Sequence, residues 1–177
     1  MEDRCTGMGI VESAQGSSGE SLALELLRDT FPEGVLETST PRGDATATIR
    51  PESLAQVMEF LKSDSRLLFN VLIDITAVDY FGRDPRFDVV YQLLSLPFSR
   101  RLQVKIRVPE SDLKVTSLTT LWNNANWLER EVWDMFGIRF EGHPNLKRIL
   151  MYEEFQGHPL RKDYPIRKRQ PLIGPKN

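Results

Sequence analysis

The clearest alternation in the chain runs from Leu102 to Val108. Leu102, Val104, Ile106 and Val108 fall on one side, and Gln103, Lys105 and Arg107 on the other. A period of two is that of a strand with one buried and one wet face. Two more β-branched stretches precede it, Leu67 to Val78 and Phe87 to Leu96, separated by the turn residues Phe81-Gly82-Arg83-Asp84-Pro85. Upstream, Val35 to Ser39 and Ala45 to Arg50 flank Pro41-Arg42-Gly43-Asp44 and read as a hairpin.

Helical spacing occupies three places. Ser18 to Thr30 carries Leu22, Leu26 and, offset, Leu27, and stops at Pro32 and Gly34. Pro51-Glu52-Ser53 opens a second helix in which Leu54, Val57, Met58 and Leu61 fall at i, i+3, i+4 and i+7. Ala125 to Phe136 is the last, with Leu128, Val132, Met135 and Phe136 on its apolar side and Gly137 where a left-handed closing residue is wanted. Pro109 to Lys114 reads as a polar link, and Ser117 to Trp122 as a short helix interrupted by Asn123-Asn124.

The order α-β-β-α-β-β-β-α groups its strands and lacks strict βαβ alternation. The expectation is an α+β fold: a two-layer domain with a mostly antiparallel or mixed five-stranded sheet, helices on one face, and an extended C-terminal arm. Three parts follow: a disordered N-terminus at 1–19, the α+β domain at 20–140, and the arm at 141–177, which shows no convincing periodicity beyond Ile138.

Hydrophobic residues make up 40% and charged residues 27% of the 177, values of a soluble globular chain. No apolar run approaches the roughly 20 residues of a bilayer span. The polar, acidic N-terminus has no secretory or transit pattern, so the chain is expected in the cytosol or on the cytosolic side of a membrane. A single cysteine, Cys5, rules out an internal disulfide and an iron–sulfur cluster held by this chain alone. Two histidines, His143 and His158, cannot build a zinc site without carboxylates. Charge is uneven: residues 1–64 hold 12 acidic and 5 basic side chains, residues 139–177 hold 4 and 9. A basic tail on an acidic domain suits a partner with a negative surface: protein, nucleic acid or an anionic membrane.

The last helix concentrates Glu129, Arg130, Glu131 and Asp134. One reading makes them a solvated face, with Arg130 and Asp134 as an i,i+4 pair worth about 0.3–0.5 kcal/mol. The other makes them anchors for the tail or a partner chain, with Arg130 best placed because its planar fork holds two carbonyls or a carboxylate. A catalytic pairing of Glu129, Glu131 and Asp134 is weaker, because Glu129 and Glu131 point in different directions on a helix.

In the tail, His143-Pro144 and His158-Pro159 each follow a glycine, and both read as tight turns whose imidazoles bond backbone. Between them, Leu146, Ile149, Leu150, Met151, Tyr152 and Phe155 are too apolar to hang in water. Such a tail either folds over its own domain or lies on another protein. The cluster Arg161-Lys162 and Arg167-Lys168-Arg169, with Tyr164 among it, is also compatible with non-specific nucleic-acid binding, though no recognised motif accompanies it.

The run Glu129-Arg130-Glu131, Asp134, Met135-Phe136, His143 and Lys147-Arg148-Ile149-Leu150 resembles the hallmark pattern of the 30 kDa subunit family of respiratory complex I. Gly157-His158-Pro159-Leu160-Arg161-Lys162-Asp163-Tyr164-Pro165 resembles the family's continuation, and the likeness covers roughly residues 20–170. The resemblance implies a structural subunit of the hydrophilic arm of NADH:quinone oxidoreductase, near the quinone-reducing end and peripheral on the cytoplasmic side of the cell inner membrane. It implies no cofactor and no catalytic site on this chain, with FMN and iron–sulfur clusters carried by other subunits. Its expected partners are the 49 kDa (D-type) subunit, along which the tail lies, the B-type subunit and the iron–sulfur subunits. It expects no nucleic acid, and membrane association only through the complex. Glu129, Arg130, Glu131, Asp134, Gly137, His143, Pro144, Lys147, Arg148, His158, Pro159, Arg161, Lys162, Asp163 and Tyr164 are the expected structural and subunit-contact positions. Related subunits of membrane-bound hydrogenases and of the photosynthetic version of the complex remain the alternative.

Overall fold

The structure, a computed structural model, describes residues 16–168 and 170. Its elements are α1 (Gly16–Thr30), β1 (Val35–Ser39), β2 (Thr46–Ile49), α2 (Leu54–Ser63), β3 (Val71–Asp79), β4 (Phe87–Ser95), β5 (Arg100–Val108), β6 (Lys114–Thr116), α3 (Ala125–Phe136) and β7 (Arg139–Glu141). The disordered stretch expected at 1–19, Cys5, Arg169 and the last seven residues fall wholly or mostly outside the described residues. Within that stretch, residues 16–19 already belong to α1.

Five strands form one sheet in the order β1-β2-β5-β4-β3. The β1–β2 hairpin is antiparallel, as are β5–β4 and β4–β3, but β2 and β5 run parallel. The fold is α+β with a mixed sheet. Alternation along β5 sets which residues are buried and carries nothing about the direction of a neighbour, so the parallel pair is invisible in it.

The inner face of the sheet presents Ile49, Leu72, Ile75, Phe87, Val89, Tyr91, Leu93, Leu102, Val104 and Ile106 to one continuous core. All three helices contribute to that core. From α2, Leu54, Val57, Met58 and Leu61 are fully buried, as their spacing requires. Burial of each such side chain contributes about 1.5–3 kcal/mol. On α1 the buried set is Ala23, Leu24 and Leu27, with Leu22 only half-buried, so the face is rotated from the Leu22-Leu26 line.

The chain departs from expectation in three places around the site. Leu67 to Asn70 is not strand: Leu68 takes a left-handed φ of 44°, and β3 begins at Val71. Ser117 to Trp122 makes a single turn, closed by the N–H groups of Leu121 and Trp122 on the Leu118 carbonyl, and goes no further. The expected polar link ends in β6, which pairs in parallel with β7 through Val115 opposite Phe140, both buried. The domain therefore runs through Glu141. Two three-residue strands some 25 positions apart give no local periodicity to detect.

Candidate functional site

Helix α3 is closed where the sequence expects. Gly137 adopts φ 83°, and its N–H reaches the Trp133 carbonyl at 2.9 Å. The α3 face that meets the sheet carries Val132, Met135 and Phe136. Its charged residues divide among three destinations.

Arg130 and Asp134 do not pair with each other. Arg130 donates from Nε to the Lys147 carbonyl and from Nη2 to the Arg148 carbonyl, each at 3.0 Å, while its guanidinium lies 5.1 Å from the Trp127 ring. The two-carbonyl option of its planar fork is the one realised. Asp134 is fully buried. Its Oδ2 accepts three successive backbone N–H groups, from Ile149 at 3.1 Å and from Leu150 and Met151 at 2.9 Å. Its Oδ1 accepts Nη1 of Arg148. Burial works to raise the Asp134 pKa, but the Met151 N–H, the Arg148 guanidinium and the Leu150 and Ile149 N–H groups outweigh it and hold the carboxyl below its ordinary value. The arm thus wraps a carboxylate whose ionised form its own hydrogen bonds favour.

Arg148 carries the contact onward. Its Nη2 donates to the carbonyls of Phe155 at 2.8 Å and Gly157 at 3.0 Å. Both Gly-His-Pro units are turns with imidazoles on backbone. His143 accepts the Asn145 N–H at Nδ1 (3.0 Å) and donates from Nε2 to the Asn126 carbonyl (3.1 Å), the tautomer that satisfies both. His158 Nδ1 lies 3.0 Å from the Asp134 carbonyl, and the Leu160 N–H reaches the Met135 carbonyl at 3.1 Å. Two C-terminal carbonyls of α3, which have no partner within the helix, are capped by the arm. Burial lowers the His158 pKa, with Arg148 and Arg161 adding to the effect.

Glu129 behaves otherwise. It is fully buried and points away from the arm, accepting the Leu118 N–H at 2.6 Å and the Ser117 hydroxyl at 2.7 Å. It holds the turn between β6 and α3, so its expected role on the arm is corrected. Burial raises its pKa to about 7 against those two hydrogen bonds. Complete burial, with the Glu129 charge adding to it, raises the pKa of the Tyr91 phenol, whose hydroxyl has no partner among the described residues. Glu131 is exposed and makes no ion pair among the described residues. Pro144 and Lys147 are likewise exposed, and Lys147 contributes its carbonyl alone.

A second anchor holds the arm farther along. Arg86, buried, forks onto Asp79 through Nε and Nη2, both 2.8 Å, and bonds Glu110 at 2.7 Å and Asp163 at 3.0 Å. Arg161 joins through Glu110 at 2.6 Å and Asp163 at 3.2 Å, and the Lys162 N–H donates to Asp79 at 2.8 Å. Hydrogen bonding from Arg86 holds Asp79 and Asp163 below their ordinary pKa against burial. No sequence motif singles out Asp79, Arg86 or Glu110. They meet the arm only because the β3–β4 hairpin and the end of β5 converge there. Tyr164 stacks on Phe155 at 6.0 Å and packs against Gly157, which has φ 98°. Pro159 is half-buried between these anchors.

Residues 47–170 match the family described as respiratory-chain NADH dehydrogenase, 30 Kd subunit. The chain is 47% identical over 154 residues to the C-type subunit of NADH-quinone oxidoreductase from Citrifermentans bemidjiense, covering 86% of this chain and 94% of that one. It is 50% identical over 143 residues to the protein of the same name from a Roseiflexus species, covering 81% and 82%. Among solved structures, the trypsin-resistant fragment of Nqo5 superposes with a TM-score of 0.62 at 38% identity, covering 70% of this chain and 99% of the fragment. A chain of the archaeal membrane-bound sulfane sulfur reductase shares the fold, with a TM-score of 0.71 at 22% identity over 84% of this chain and 86% of that one.

Proposed function

The chain belongs to the family of the 30 Kd subunit of respiratory-chain NADH dehydrogenase, and from that premise we propose that it is a cofactor-free structural subunit whose arm docks on the quinone-reducing module. It is a hydrophilic-arm subunit of complex I, an enzyme that couples NADH oxidation to quinone reduction and proton translocation. The observation that carries the structural role is the destination of the charged groups on α3. Asp134 has one carboxylate oxygen occupied by three amide N–H groups and the other by a guanidinium. A carboxylate so engaged is unavailable for proton transfer or for a metal. Arg130 and Arg148 are likewise committed to arm carbonyls.

The arm has two sides. Leu146 and Met151 pack on the domain core. Leu150 and Leu160 are each 55% exposed and Ile166 is 99% exposed, and near the arm's start Trp127 of α3 is 61% exposed. This apolar set, stiffened by the two anchors, suits a neighbour of the 49 kDa (D-type) kind, with the B-type and iron–sulfur subunits completing the module. The flavin and iron–sulfur groups belong on those other subunits. Among the described residues no cluster of three or more His, Cys, Asp or Glu could hold a metal. No described helix is long and apolar enough to cross a membrane, and attachment to the cytoplasmic face of the inner membrane would run through the complex alone. The curated relatives are named NADH-quinone oxidoreductase subunits, which favours the NADH-type complex over the hydrogenase-type alternative. Nucleic-acid binding loses support because Arg161 is tied to Glu110 and Asp163, and Lys168 lies over Tyr164.

The test is assembly in cells that carry Arg130→Ala, or a chain truncated after Gly142, as the only copy. The variant protein should be missing from the purified complex and NADH:quinone reductase activity should fall, while Glu131→Ala behaves as the parent. Full assembly and activity in both altered chains overturns the reading.

A further inference from the structure

The helices pack on one face of the sheet and none packs on the other, the open face, although Thr46, Thr48, Asp88 and Val90 are buried there by their surroundings. On that open face, Gln103 of β5 sits in register beside Gln92 of β4, and the turn between β1 and β2 rises at the edge. Between them lies a cavity of about 590 Å³, lined by Arg42, Asp44, Ile73, Gln92, Arg101 and Gln103. The site is remote from the arm, which packs at α3 and at the Asp79 end of β3.

Three observations give the cavity its chemistry. First, its donors are unused. The guanidinium groups of Arg42 and Arg101 and the carboxamides of Gln92 and Gln103 make no hydrogen bond or ion pair among the described residues, whereas Arg86, Arg130, Arg148 and Arg161 at the two anchors are all engaged. Secondly, the lining is net positive. Two arginines stand against the single carboxylate of Asp44 in the lining, and outside it Lys105 on β5 and Asp74, in register beside Gln92, add one charge of each sign. Thirdly, Arg42 is held at φ 56°, ψ 24°. A non-glycine residue in that region costs on the order of 1–2 kcal/mol, and such outliers gather at ligand clamps. The backbone thus places an arginine in the cavity lining at a cost that a glycine would avoid. Ile73, 45% exposed, adds an apolar floor.

Resting on the reading of this chain as part of complex I, we infer that this open sheet face is a second docking surface, whose Arg42–Arg101 cavity receives an acidic side chain from a segment of a neighbouring subunit. Two guanidinium forks and two amide N–H₂ groups around one volume match a carboxylate. A neighbouring polypeptide also covers the surrounding sheet face, which no helix of this chain covers.

The experiment uses the intact complex. Arg101→Lys places a primary amine at the cavity, and a carbodiimide then joins it to any carboxylate in direct contact. The expected product is an isopeptide bond between position 101 and an Asp or Glu of another subunit, read by mass spectrometry. In parallel, Arg42→Glu with Arg101→Glu should weaken retention of this chain about tenfold or more, since charged hydrogen bonds are lost, so that lower salt strips it from the complex. Arg42→Gly removes one guanidinium while relieving φ, so it should fold at least as stably as the parent and still show a weaker salt resistance. Cross-links confined to this chain's own carboxylates, unchanged salt resistance in the double variant, or protection by free citrate without any inter-subunit product each overturns the inference. These variants leave the arm intact, so their failure leaves the truncation result standing, and failure of the arm reading appears only in the truncation.

Discussion

The Asp134 carboxylate and the Met151 N–H lie 2.9 Å apart across seventeen positions of sequence. The N–H groups of Ile149 and Leu150 converge on the same oxygen. One side chain of α3 therefore supplies the acceptor for three N–H groups of irregular chain that have no strand neighbour.

Asp134→Ala should release this first anchor. Removing one partner of a buried charged set leaves Arg148 and three amides uncompensated, a loss on the order of 3–5 kcal/mol. Asp134→Asn keeps one acceptor and should lose less. Limited proteolysis reads the difference: in Asp134→Ala, cleavage appears first beyond Gly142, while the sheet and α2 stay protected. Protection of 147–157 equal to the parent's would show that the anchor lies elsewhere.

Gly137 and Gly142 separate two effects that a sequence cannot. Both have a positive φ, 83° and 84°. A Cβ at Gly137 would sit 2.7 Å from Cδ2 of His158, whereas one at Gly142 meets nothing within 4 Å. Gly142→Ala should cost about 1 kcal/mol from backbone strain alone. Gly137→Ala adds displacement of His158 from the Asp134 carbonyl, for a total of about 2–3 kcal/mol. Thermal unfolding of the two variants side by side checks the ordering.

Much of this region is legible in the chain. The α3 bounds, the closing glycine, the Arg130 fork and the backbone-bound imidazoles all follow from local rules of spacing and geometry. The rest depends on contacts far apart in sequence. Nothing near Asp79 or Arg86 signals Asp163, some eighty residues on. Glu129 looks like a member of the arm set because it adjoins Arg130, yet the turn of the helix sends it to Ser117 and Leu118. The single turn at Leu118 reads as a helix until Glu129 is seen to hold its start and the Trp122 indole N–H to reach the Asn70 carbonyl at its end.

Arg86 tests the second anchor. Its side chain is 4% exposed and that of Asp79 is 1% exposed. Arg86→Ala strands Asp79 without its fork, and a loss on the order of 3–5 kcal/mol is expected. Replacing both, Arg86→Met with Asp79→Asn, should recover most of it. Hydrogen exchange should show residues 160–164 opening in Arg86→Ala while the amides of 149–151 stay slow. Equal opening of both segments would mean the two anchors form one cooperative unit.

Glu129 sets a pH dependence with a definite sign. Burial raises its folded pKa to about 7 from an ordinary value of 4.5. Between those values the folded chain holds a proton that the unfolded chain has lost, so stability falls as pH rises from about 4.5 to 7 and levels off above. The change across that window is on the order of 3 kcal/mol. Asp134, Asp79 and Asp163 are lowered, so their contribution is present above an ordinary value of 3.8 and is lost only as pH falls below it. His158, also lowered, destabilises the fold as pH falls through 6.5, so it opposes the Glu129 slope in the upper part of the window. Glu129→Gln isolates the carboxyl: its amide oxygen still accepts the Leu118 N–H and its N–H₂ meets the Ser117 hydroxyl, but it does not titrate. Denaturant unfolding of parent and variant at pH 5 and pH 7.5 should show the variant gaining on the parent at the higher pH. A constant difference between them at the two pH values would place the Glu129 pKa in the ordinary carboxylate range.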